Sequence, residues 1–237
     1  MKPLVFVTGD THGEYDRIMD LCDEMDTSKD DIIVVLGDHG VNHIGERESR
    51  GFKRLLSRLP ITFVFVRGNH DRRPSPASYT LEHIERKDIL GDFYAEYDFP
   101  SLLHAVDGGV YTFGGKKCMT IGGAFSVDGE YRRRRGMIWF PDEQLTREEF
   151  DECLAMYDRI PKDEPLTVLA HTCPLAKIPV EAFMPGVDQN MVDRSMETWF
   201  DEIYSQMKPE DRWLCGHYHI DKLDDNVRFM FNDIIEL

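Results

Sequence analysis

No stretch of this sequence approaches the roughly 18 consecutive apolar residues of a membrane span, so a membrane-embedded chain is not expected. The opening residues, MKPLVFVTGD, hold too short an apolar run for a signal peptide. Cysteine is sparse. Cys22, Cys118, Cys153, Cys173 and Cys215 are odd in number, scattered and free of any CxxC spacing. That argues against a disulfide framework or a zinc ribbon and for reduced thiols. Basic charge is scarce too: 28 Lys and Arg stand against 44 Asp and Glu, a net charge of −16. An extended track for duplex nucleic acid is therefore not expected, although a local basic pocket is compatible with this balance. Internal repeats, low-complexity segments and linkers are all missing. These absences leave a soluble, cytoplasmic protein of open oligomeric state, with no membrane partner.

What is present is a full core and one repeated construction. At 237 residues and 41% hydrophobic, the chain can bury a substantial interior. Residues 61–66, ITFVFV, read as a strand buried on both faces, and they run directly into Gly68-Asn69-His70-Asp71. LVFV leads likewise into Gly9-Asp10-Thr11-His12-Gly13, and IIVVL into Gly37-Asp38-His39-Gly40. LTVL leads into Ala170-His171-Thr172, and RWLC into Gly216-His217-Tyr218-His219. Any one of these loops alone would be an ordinary polar turn. Five in series imply one polar centre at the carboxyl ends of the strands, where open α/β sheets place their ligands. Because the loops run from Asp10 to His219 without interruption, one domain over residues 1–237 is expected.

Helical stripes occupy residues 14–25 and 46–59, the second stopped by Pro60. A further helix opens at a Thr146/Glu149 capping box, and residues 191–207 form the last. Residues 110–113 and 117–121 form a hairpin across Gly114-Gly115. Residues 79–99 carry no clear pattern, 124–141 and 174–190 read as loops, and the tail alternates short strands around Asp224-Asp225-Asn226. Strand and helix alternate, which is the α/β pattern.

Asp10, His12, Asp38, Asn69, His171, His217 and His219 supply two carboxylates, an amide and four imidazoles. Such mixed N/O ligands suit manganese, iron or zinc, and the lack of cysteine among them argues against a structural zinc site. Seven ligands exceed the need of one metal with an open position. They fit two metals about 3.5–4 Å apart that share a carboxylate, a device for in-line displacement at phosphorus.

With these blocks in order (DxH, GD, GNHD, a lone His, GHxH), the chain resembles the calcineurin-like metallophosphoesterases over residues 4–220. The resemblance implies an α/β fold, a four-layer sandwich of two mixed β-sheets flanked by helices, with the metals at the sheet edge. It implies that Asp10, His12, Asp38 and His219 hold one metal, and that Asp38 (bridging), Asn69, His171 and His217 hold the other. The metals would be manganese and/or iron, with zinc as a further option. A hydroxide held between them would attack a phosphate ester, while His70 protonates the leaving oxygen or steadies the transition state. GDxHG and GNHxxR also resemble the Ser/Thr protein phosphatases. There the middle block is GDxVDRG, and here Val41 and Asn42 stand where that branch has Asp and Arg.

Arg72 and Arg73 are the expected phosphate-gripping residues, since a guanidinium offers paired donors. Tyr131 and Arg132 to Arg135, with Trp139 and Phe140, are a second candidate substrate surface or else a solvated face. The leading reading is a phosphomonoesterase, with phosphoproteins among its candidate substrates. A phosphodiesterase or nuclease acting on nucleotides is the alternative. A non-catalytic scaffold is disfavoured because every ligand position and His70 are kept.

Overall fold

Successive residues of a strand face opposite sides, so strands apolar throughout must be covered on both faces. The computed structural model, which describes residues 3–86 and 89–237, shows how this is met. The first half runs β1 (Val5–Thr8), α1 (Asp16–Met25), β2 (Ile32–Leu36), α2 (Glu46–Leu56), β3 (Thr62–Val66), β4 (Thr80–Arg86), β5 (Ile89–Ala95) and β6 (Leu102–Ala105). The second runs β7 (Val110–Phe113), β8 (Lys116–Ile121), α3 (Gly129–Arg135), α4 (Arg147–Arg159), β9 (Leu166–Ala170), α5 (Ser195–Tyr204), β10 (Arg212–Cys215), β11 (Lys222–Asp224), β12 (Val227–Phe229) and β13 (Ile234–Glu236).

Val7, Val34, Leu36, Val64 and Val66 point inward and join Leu169 and Leu214 from the other end of the sheet in one buried cluster. Their neighbours Phe6, Ile33, Val35, Phe63 and Phe65 point outward against Ile18 and Cys22 of α1 and Leu56 of α2. Val168, Trp213 and Cys215 likewise face Phe150 and Tyr157 of α4 and Met196 and Phe200 of α5. Helices thus cover the outward face of the sheet at both of its ends.

Two sheets are expected, but the hydrogen bonding runs through one. Its strand order is β11-β12-β10-β9-β8-β7-β5-β6-β3-β2-β1-β13, with β4 added on β5. The join is β5. Its Phe93 and Tyr94 pair with β6, while its Ile89 and Leu90 pair with β7. The sheet is mixed: β1, β2 and β3 are parallel, as are β8, β9 and β10, and the β7–β8 hairpin is antiparallel. Gly114 and Gly115 both take positive φ there, as a primed turn requires.

Other differences have local causes. Strand β4 is exposed along nearly its whole length, so it carries no buried alternation to read. Helix α3 lies in the expected loop 124–141 and buries only Gly129. It is held by Asp128–Arg132 and by Glu130 with Arg133 and Arg134. Helix α5 begins at Ser195, whose amide and hydroxyl donate to Asp193. The capping box of α4 forms as expected, with both reciprocal bonds between Thr146 and Glu149. Among the described residues no helix is long and apolar enough to cross a membrane.

Helix α5 also buries Glu197, and burial pushes its carboxyl up to about 7. The native state then holds this proton more tightly than the unfolded chain, so the contribution is complete below the ordinary carboxylate range and fades as pH rises through about 7. The shift is worth roughly 3–4 kcal/mol. Urea unfolding between pH 5 and 8 should show the wild type losing stability relative to Glu197→Gln as pH rises; parallel pH dependence would refute the assignment.

Candidate metal centre

The carboxyl ends of β1, β2, β3, β9 and β10 bring all seven candidate ligands together. Close approach of the loops depends on glycine. A side chain at Gly37 (φ +97) would place its Cβ 2.1 Å from His171 Nδ1, and one at Gly216 would place it 2.1 Å from Asp10 Oδ1. Six non-glycine residues among those described have positive φ, and four are His12, Asp38, His217 and His219. Such backbone costs about 1–3 kcal/mol per residue and persists where surroundings enforce it, commonly at functional sites.

Asp10 lies 3.2 Å from His219 Nε2 and 3.7 Å from His12 Nε2, and those two nitrogens are 2.9 Å apart. Asn69 Oδ1 is 2.8 Å from His171 Nε2 and 3.1 Å from His217 Nδ1. Asp38 spans the two groups. Its Oδ1 lies 3.6 Å from His171 Nε2, and its Oδ2 lies 4.0 Å from His12 Nε2. The tightest triads, Asp10–His12–His219 and Asp10–Asp38–His171, share Asp10.

The electrostatics suit cations. Burial alone would raise Asp10, but the adjacent His219 and the other neighbouring imidazoles bring it down to about 2. Burial, with the charges of Asp10 and Asp71 in support, raises Asp38 well above the usual carboxylate range. Burial lowers His12 and His171 and takes His217 to about 3, so these rings are neutral at physiological pH, the form that ligates. Asp10 Oδ2 is buried and accepts no hydrogen bond of good geometry despite the nearby His219. Asp10 raises His219, its nearest imidazole, but a carboxylate oxygen without a hydrogen bond beside three lowered imidazoles fits a bound cation.

Residues outside the seven orient them. Asn69 Nδ2 donates to Ser126 Oγ (2.8 Å), which donates to Glu143 Oε2 (2.5 Å), and Trp139 Nε1 donates to the same oxygen (2.9 Å). The chain turns the Asn69 carbonyl toward His171 and His217. Arg17 of α1 donates to the carbonyls of Gly9 and Asp10. Asp71 accepts from the amides of Gly68 (2.9 Å), His39 (3.2 Å) and Gly40 (3.3 Å), clamping the β2 loop to the β3 loop. His39 is buried beside Asp71 and faces no cleft. Val41 is core, and Asn42 accepts from Tyr79 within a buried network that includes Lys53. Neither replaces the Asp or Arg of the phosphatase block. His43 holds the carbonyl of His70 instead.

The arginines differ from expectation. Arg73 is bound to Glu149 (2.6 Å) and to the carbonyls of Asp142 and Gln144, and it lines a separate cavity. Arg72 lies over the Phe140 ring. Arg73 is thus engaged by acidic and carbonyl groups, and neither Arg72 nor Arg73 is among the residues lining the ligand cleft. Arg132 lines the ligand cleft of about 460 Å³ together with His12, His43, His70 and Asp128. Its Nε donates to Asp128 (2.6 Å). His70 lies 4.0 Å from Asp38, and burial, then the Arg132 charge, lowers it to about 4.

The family model for calcineurin-like phosphoesterases matches residues 3–221. No curated protein matches the sequence. Among solved structures, phosphopantetheinyl hydrolase from Mycobacterium tuberculosis aligns over 97% of this chain and 88% of its own, at 17% identity and a TM-score of 0.48. A Thermus thermophilus protein aligns over 98% of this chain and 89% of its own, at 14% identity and a TM-score of 0.52. At that identity the second likeness concerns the fold alone.

The clamp at Asp71 is open to direct measurement. Asp71→Ala leaves three backbone amides without their acceptor, each costing about 1–3 kcal/mol. Urea unfolding should show a loss of at least about 3 kcal/mol; a loss below about 1 kcal/mol would show that the loops hold without it.

Proposed function

This chain belongs to the calcineurin-like phosphoesterase family, and from that premise we propose that it hydrolyses a phosphomonoester at a two-metal centre. Metal-dependent hydrolysis of phosphate esters follows from the family. The grouping of Asp10 with His12 and His219 and with Asp38 and His171, the approach of Asn69 to His171 and His217, and the unsatisfied Asp10 Oδ2 support the placement of the ions. Asp10, His12, Asp38 and His219 would hold one and Asp38, Asn69, His171 and His217 the other. The sharing of Asp10 by the tightest triads is the main geometric competitor. The span of Asp38 from His171 to His12 favours it as the bridge. Manganese or iron, then zinc, suit this donor set. Bound ions would supply Lewis-acid charge stabilisation at phosphorus.

The protein's own groups do the rest. His70, held at its amide by Asp38 and at its carbonyl by His43, faces the cleft. Its neutral ring can donate an N–H to the leaving oxygen. Arg132 provides a cation for the phosphate oxygen that the metals leave uncovered, the role expected of Arg73 from sequence. A monoester dianion needs that cation more than a diester monoanion does, and this favours the monoester. The five buried free cysteines support work in a reducing cytoplasm. One catalytic domain over 1–237 accords with ligands drawn from both ends of the chain.

Metal analysis separates the bridges. Asp38→Asn should deplete both ions, and His217→Ala should deplete mainly one. Two ions per chain in purified Asp38→Asn would remove it as the bridge.

Substrate class rests on a matched monoester and diester pair. Arg132→Ala should lower kcat/KM on the monoester roughly ten- to hundred-fold, with a smaller effect on the diester. Arg73→Ala should not discriminate between the two. A wild type that hydrolyses only the diester would install the diesterase reading in its place.

A further inference from the structure

A second cavity, of about 150 Å³, adjoins the cleft and shares Val127, Met184, His217 and His219 with it. The cleft is walled mainly by imidazoles, carboxylates and Arg132, whereas the annex adds Phe125, Phe183, Val187 and Val192. Its two charged residues differ in state. The Arg194 guanidinium is occupied, lying over the Phe183 ring and donating to the carbonyl and side chain of Gln189. Glu197 is only 4% exposed; its Oε1 accepts from Thr172, and its Oε2 is buried with no partner. The annex thus combines an apolar wall with polar residues beside the ligand cluster, and the buried Glu197, whose Oε2 has no partner, is among its lining residues.

An ester whose phosphate sits at the cluster must direct its alcohol somewhere. Towards α3 it meets Asp128, Arg132 and solvent. Towards His217 and His219 it meets apolar walls, where water finds few partners and a hydrocarbon group gains by leaving solvent. We propose that the annex is the subsite for the alcohol, and that the substrate is the phosphomonoester of an alcohol with an aromatic or branched apolar body and a hydrogen-bonding atom that reaches Glu197. This rests on the phosphomonoesterase reading for the phosphate and on the annex alone for the alcohol.

Non-hydrolysable phosphonates separate the two. In manganese-containing buffer, calorimetry should show phenethylphosphonate binding the wild type roughly ten- to hundred-fold more tightly than ethylphosphonate. Val187→Trp, which fills the annex, should erase that preference and leave ethylphosphonate unchanged; Val192→Trp is the second filling variant, and melting temperature checks the fold of both. A terminal hydroxyl on the ring should tighten binding to the wild type and not to Glu197→Leu. The matching phosphates should show the same order in kcat/KM. Equal binding of the two phosphonates by the wild type, or a preference that survives both tryptophans, overturns the annex even if ethyl phosphate is hydrolysed. Turnover of neither phosphate with the binding preference intact overturns the hydrolase reading instead.

Discussion

One hydrogen bond joins the two ends of the curled sheet at the site: His171 Nδ1 donates to the carbonyl of Leu36 at 2.7 Å. The acceptor is a carbonyl, so the proton must sit on Nδ1, and the lone pair of Nε2 is left facing Asn69 and Asp38. The bond therefore fixes both the tautomer of a candidate ligand and the distance between the β2 and β9 strand ends. Gly37 makes it possible, since any Cβ there would occupy the imidazole's place. Around it lie lowered imidazoles, a lowered Asp10 and a raised Asp38, a donor set that could hold cations. Geometry and electrostatics here have one origin, the crowding of five loops over two facing halves of a sheet.

The same crowding explains what could be read from sequence. Each ligand follows directly on a run of apolar residues, so Asp10, Asp38, Asn69, His171 and His217 all announce themselves at strand ends. Residues that act through hydrogen bonds from a distance do not. Ser126, Glu143 and Trp139 reach Asn69 from a segment with no periodicity, and only folding shows that they meet. Strand β4 and helix α3 were illegible because they bury almost nothing, and periodicity reports burial. The one-sheet connectivity turns on which strands β5 pairs with at its two ends, a long-range fact absent from local pattern.

The arginines show the limit most clearly. Arg73 sits three residues past His70, so proximity in sequence favours it as a phosphate ligand, yet Glu149 of the α4 capping box claims it. Arg132 lies in a run of four like residues, a pattern typical of solvated faces. Three of the four behave that way: Arg133 and Arg134 pair with Glu130, and Arg135 lies over Tyr131. The period of the helix turns the remaining one into the cleft. A charge run is a statement about composition, whereas a site needs direction.

The closing strand β13 pairs antiparallel with β1, setting Val7 opposite Ile235. It covers the side of β1 that β2 does not. At the other end of the ladder, β11 is three residues long and carries Lys222 and Asp224. Both margins of this sheet are thus short, and the exposed face strand β4 is studded with Glu82, His83, Glu85 and Arg86. Unpaired strand margins are templates for another chain, and short or charged ones are poor templates. Loss of residues 234–236 would bare the flank of β1, the strand that leads into the candidate ligand Asp10, as an open template for another strand.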